Sequence, residues 1–136
     1  MRKKMVVMTL CLMLITIIVP TSKAFLKENT LSDDVEIEIF AGHLKKDIGF
    51  GIQIYVLNHK FENITCYVNI EFEFIFRNYR DFTHEFNFDV PTETPWSNVI
   101  STGTDGIKFI TLTASADDTI VTRSGISIGK IMIFTD

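Results

Sequence analysis

The chain has almost no cysteine, no stretch with the 3.6-residue rhythm of an amphipathic helix, and none of the short motifs that mark a catalytic or nucleotide site. Cys11 and Cys66 are the only thiols. They fall on either side of the export boundary described next, so the mature chain keeps one cysteine and cannot form an internal disulfide. There is no G-x-S-x-G, no P-loop, no C-x-x-C and no Gly-rich phosphate cradle. His43, His59 and His84 fit no metal spacing such as H-x-x-x-H. The sequence therefore predicts no catalytic residue, no cofactor and no enzyme.

What is present begins with an export signal. Arg2, Lys3 and Lys4 precede an apolar run from Met5 to Val19, followed by Pro20 and the small-x-small exit Ser22-x-Ala24. That order predicts a signal peptide over residues 1–24, with Phe25 the first mature residue. The competing reading is a retained membrane anchor, but the run has 15 residues before Pro20, against about 20 for a full span. Either way the domain faces outward, since the basic cluster holds the N-terminus inside. The protein is thus expected to be secreted or held at the cell surface, meeting the membrane only through an uncleaved N-terminal segment.

Positive charge is scarce beyond the signal. Cleavage removes Arg2, Lys3, Lys4 and Lys23 from the 13 Lys and Arg and none of the 17 Asp and Glu, so the formal charge falls from −4 to −8. A domain this acidic repels phosphate backbones and anionic lipid, which excludes nucleic-acid binding.

Residues 25–34 are polar and without period, and read as a linker. From Val35 to Asp136 the chain alternates with period two, the mark of half-buried strands. Seven strands are predicted: Val35–Phe40, Ile48–Asn58, Thr65–Phe76, Phe82–Val90, Trp96–Ser101, Ile107–Ser115 and a broken one over Thr119–Phe134. Asp105-Gly106 accepts positive φ and predicts a hairpin joining the strands beside it. Ala116-Asp117-Asp118 predicts a second short turn, and Ser124-Gly125 a bulge or bend in the last strand. Seven short strands in about 100 residues predict an all-β, antiparallel, immunoglobulin-like sandwich in one domain. All 12 Phe lie beyond residue 24 and are expected to supply the main apolar burial.

A five-residue loop over Arg77–Asp81 sets Phe76 opposite Phe82, Phe74 opposite His84, Phe72 opposite Phe86 and Ile70 opposite Phe88, all on a core face. Asn69, Glu71, Glu73, Thr83, Glu85, Asn87 and Asp89 then share the wet face. In that register Glu73 faces Glu85, with Glu71 and Asp89 near. This makes the four carboxylates candidate ligands for a hard cation such as Ca²⁺, against the plainer reading of a solvated acidic face. Glu71 and Glu73 stand about 7 Å apart along one strand, a separation used by inverting glycosidases. By parity Cys66 faces the core as an inert thiol and His84 the Phe face. Trp96 is expected to pack at the rim. Asn63-Ile64-Thr65 is an N-glycosylation sequon ahead of a strand.

Gly49-Phe50-Gly51-Ile52 running to Asn58 resembles a segment of immunoglobulin-like domains of prokaryotic surface and secreted proteins, notably archaeal ones of the CARDB-like type. So does Ile107-Lys108-Phe109-Ile110-Thr111-Leu112-Thr113-Ala114 with the later Arg123-Ser124-Gly125-Ile126. Lys60 departs from that pattern, which has Gly two residues after the strand-ending Asn. The resemblance implies a β-sandwich for adhesion, display or spacing and supplies no catalytic residues. The expected function is a binding or structural module whose strand edges or end loops touch a protein or a glycan at the cell surface. The alternative is a small exported cation-binding protein, or a carbohydrate-active enzyme, using the acidic face.

Overall fold

The computed structural model describes residues 29–76 and 80–136. The signal segment, Cys11 and the first four linker residues lie outside the described residues. Among the described residues there are nine strands: β1 (Val35–Ala41), β2 (Ile48–Phe50), β3 (Ile52–Asn58), β4 (Ile64–Phe74), β5 (Phe82–Val90), β6 (Trp96–Ile100), β7 (Ile107–Ala116), β8 (Thr119–Ile128) and β9 (Ile131–Phe134). In β7, Lys108, Ile110, Leu112, Ala114 and Ala116 are buried while their neighbours are half-exposed, because successive side chains leave opposite faces of a strand.

The strands form two antiparallel sheets in a sandwich-like arrangement, β1-β3-β6 and β2-β9-β8-β7-β4-β5. Seven strands become nine because two of the predicted ones break. Ile48–Asn58 divides at Gly51, where φ is +74° and a Cβ would stand 2.7 Å from the Ile100 carbonyl oxygen. The chain leaves the larger sheet there and continues in the smaller one, and only glycine accepts both the angle and the approach. The last strand divides at Gly129-Lys130, not at Ser124-Gly125: Ile128 pairs with Ile131 across a two-residue turn whose Gly129 has φ +57°. Gly125 stays within the ladder, paired with Ile110 and Phe134. A Cβ on it would meet the Ile133 carbonyl at 2.1 Å, so this glycine admits a close backbone and makes no bend.

Asp105-Gly106 makes no hairpin, contrary to the expectation. Gly106 has the positive φ, but β6 pairs with β3 and β7 with β4 and β8, so this turn crosses between sheets. Asp117-Asp118 does close the β7–β8 hairpin, with Ala116 opposite Thr119 and Asp117 at φ +53°.

Isoleucine, valine and leucine fill the core rather than phenylalanine. Ile52, Ile54, Ile70, Ile110, Leu112, Val35, Val56, Val68 and Val90 are fully buried, whereas Phe72 and Phe134 are the only buried phenylalanines among the described residues. Each such aliphatic side chain contributes about 1.5–3 kcal/mol on leaving water.

β9 covers Gly125–Ile128 of β8 and leaves the rest of that edge open. The two ends of the described chain close it. Thr30 exchanges both backbone bonds with Ile120 (2.9 and 2.7 Å), the Asn29 Oδ1 accepts the Thr122 N–H, the Asp136 Oδ2 accepts the Ser124 N–H, and the Thr135 N–H reaches the Ser124 carbonyl. Asn29–Asp34, within the stretch read as a linker, is therefore fastened to the sheet. Beside it Arg123 ties β8 to β1 and the chain end, donating to the Ile39 carbonyl, Asp47 and Asp136. Burial opposes its charge, but the hydrogen bonds to Asp136 and Asp47 outweigh it and hold the guanidinium above its ordinary pKa.

Candidate functional site

The β4–β5 ladder pairs Phe72 with Phe82, Ile70 with His84, Val68 with Phe86, Cys66 with Phe88 and Ile64 with Val90. The alternation holds along β4 and β5, but Phe76 lies beyond β4 and is exposed, Phe82 and His84 are exposed rather than core, and the register lies four residues away from the expected one. The cause is the loop. Glu73 and Phe74 pair with Phe109 and Lys108 of β7, past the end of the β5 ladder, and the Asp81 side chain accepts the Phe74 N–H at 2.8 Å.

The shift separates the acidic candidates. Glu85 faces Asn69, Glu71 faces Thr83, Asp89 accepts a hydrogen bond from Thr65 at 2.9 Å, and Glu73 lies beside Phe109. Among the described residues no three His, Cys, Asp or Glu stand together as metal ligands. Asn63 is exposed, in the connection just before β4.

On this outer face β4, β5 and β7 instead frame a shallow depression of about 500 Å³ whose side chains include Tyr67, Asn69, Glu85, Asn87, Thr113 and Ser115. Tyr67 is 59% exposed. The Asn69 Oδ1 is buried there without a hydrogen-bond partner. An aromatic face ringed by amides, hydroxyls and one carboxylate offers apolar stacking with hydrogen bonds around it. The depression takes in neither Glu71 nor Glu73.

A second feature lies on the inner side of the same strands. The Trp96 ring stacks on Phe88, centroids 3.3 Å apart and planes at 9°. The chain beyond the other end of β6 reaches Thr102, whose carbonyl accepts a hydrogen bond from the Lys108 ammonium of β7. The smaller sheet's last strand thus crosses obliquely from β5 toward β7 and leaves the start of β5 without a roof. Phe82, though it stacks on Phe72 at 4.4 Å, is 50% exposed; His84 is exposed and Phe86 half-buried.

Among the described residues, both strands bordering this wedge, β5 and β6, are hydrogen-bonded to a strand on one side only. At β6 the Val99 N–H is held by the neighbouring Asn98 side chain at 2.8 Å. Unpaired strand edges next to apolar side chains are a template for another strand. Compared with protein-family models and with curated proteins, the chain matches none.

Asn69, Glu85 and Asn87 lie on the wet face and His84 on the Phe face, as the alternation predicts. Tyr67 was within reach by carrying the alternation two residues back. The wedge was not, because it depends on how one sheet lies over the other. Trp96 packs at the rim as expected, and Cys66 is buried, its thiol pushed up to about 12 by burial. His59 lies 3.1 Å from Glu36, and His43 is exposed in the connection before β2.

Proposed function

We propose that this protein is an exported, immunoglobulin-like binding module of the cell surface that takes an extended protein segment into the wedge between β5 and β6. The signal layout supports export, and the CARDB-like resemblance and the two-sheet antiparallel frame support the family reading. The single observation that carries the binding mode is the unroofed aromatic row Phe82, His84 and Phe86 beside the free edge of β6. A strand added there lies about 4.8 Å beyond β6. Its backbone replaces the Asn98 side chain on the Val99 N–H, and alternate side chains settle on the rings.

The test is selection of extended peptides of about ten residues on the exported protein. Bound sequences are expected to alternate apolar and polar residues. Val99→Pro removes the edge donor at a position where an edge strand tolerates proline. Like Phe82→Ser, it is expected to weaken binding about tenfold or more while the fold stays intact. A second reading rests on the depression at Tyr67, which suits a sugar ring stacked on the phenol. Binding of oligosaccharides lost on Tyr67→Ala and indifferent to Val99→Pro would give the site to a glycan; binding of neither class would remove both readings.

A further inference from the structure

The outer face of the six-stranded sheet changes character away from the Tyr67 depression. Cross-strand partners lie on the same face, so two unbroken apolar rows can be traced through the pairing. One runs Phe50–Ile131–Ile128–Ile107 across β2, β9, β8 and β7, and the other Ile48–Ile133–Ile126–Phe109 across the same strands. Phe50 is 69% exposed, Ile48 61%, Ile128 42% and Ile131 40%. No charge interrupts either row until Glu73 on β4, past Phe109.

We infer that this face is where two copies of the chain associate, sheet against sheet. The area argues for it. At about 150–200 Å² for a whole residue of this size, the four exposed members leave about 300–400 Å² uncovered. The half-buried Ile107, Phe109 and Ile133 bring that to about 400–500 Å², near the upper end of what lone proteins show. Two such faces together remove about 800–1,000 Å² from water. The total approaches the lower bound of specific interfaces, about 1,200 Å². The association is therefore weak and reversible, with a dissociation constant of about 10 μM order rather than nanomolar.

Charge selects the same face. Glu36 and Glu38 stand on the outside of the smaller sheet, and Glu71, Glu73, Glu85 and Asp89 on the other half of this one. A second acidic copy is repelled there and meets no like charge along the two rows. The contact is isologous, since one patch supplies both sides. It does not rest on the wedge, which opens on the opposite face of the sheet.

Sedimentation velocity on protein recovered from cells expressing the full chain, from about 5 μM to about 500 μM, tests it. The expected result is a concentration-dependent shift from monomer to dimer. Phe50→Lys combined with Ile131→Lys changes two exposed side chains, and that variant is expected to stay monomeric throughout with an unchanged circular dichroism spectrum. A monomer across the whole range, or a dimer that survives the double substitution, overturns the inference. So does monomeric protein that floats with neutral phosphatidylcholine vesicles, which assigns the rows to a lipid surface.

Discussion

Cys66 lies on the core side of β4, fully buried, and burial raises its thiol pKa from 9.0 to about 12. The hydrogen bond with the Ser115 backbone pulls the other way and is the smaller effect. Between those two values the unfolded chain gives up the thiol proton and the folded chain keeps it. This contribution to stability is therefore complete below about pH 9 and declines as pH rises, with a limiting slope of about 1.4 kcal/mol per unit. Urea titrations between about pH 8 and about pH 10 should show a steeper loss for the native protein than for Cys66→Ala, whose cavity lowers stability by a pH-independent amount. Parallel curves would contradict it. The inward position of Cys66 was legible because parity along one strand needs no knowledge of its partner. The expected pairing of Glu73 with Glu85 fails, and Glu85 faces Asn69 instead, because the register hangs on a connection closed by a side chain, Asp81 to the Phe74 N–H.

At the scale of elements, alternation located every strand within a residue or two where it was unbroken, and β5 to the residue. It failed at Gly51 and Ser124-Gly125, where one residue type serves two purposes. Gly51 turns the chain between sheets, and Gly125 admits the Ile133 carbonyl. Only the path of the neighbouring chain separates these roles, and no local pattern encodes it. Gly51→Ala places a Cβ 2.7 Å from the Ile100 carbonyl at φ +74°. It should lower stability by about 2–4 kcal/mol, more than the usual glycine-to-alanine effect in either direction. Chemical denaturation reads this directly. A loss under about 1 kcal/mol would mean that the crossing between β2 and β3 is soft rather than fixed.

For the whole molecule, acidity was legible from composition, while its arrangement waited on the register. Of the four candidate carboxylates on the outer face, Glu71, Glu85 and Asp89 stand opposite hydroxyl or amide residues and Glu73 opposite Phe109. A calcium ion held at a dissociation constant of about 50 μM would add about 2.7 kcal/mol at a hundredfold excess, a gain of several degrees in melting temperature. The expected outcome with about 5 mM calcium is a melting temperature unchanged within about a degree. A saturable, dose-dependent rise would restore the cation reading.

Asn29 and Asp136 fasten to Thr122 and Ser124, two residues apart on one strand. Tension applied between the two ends therefore runs through a few backbone bonds at the middle of β8 and bypasses β3, β4, β5 and β6. A pull between Asn29 and Asp136 would yield first at those fastenings, with β3, β4, β5 and β6 still in place.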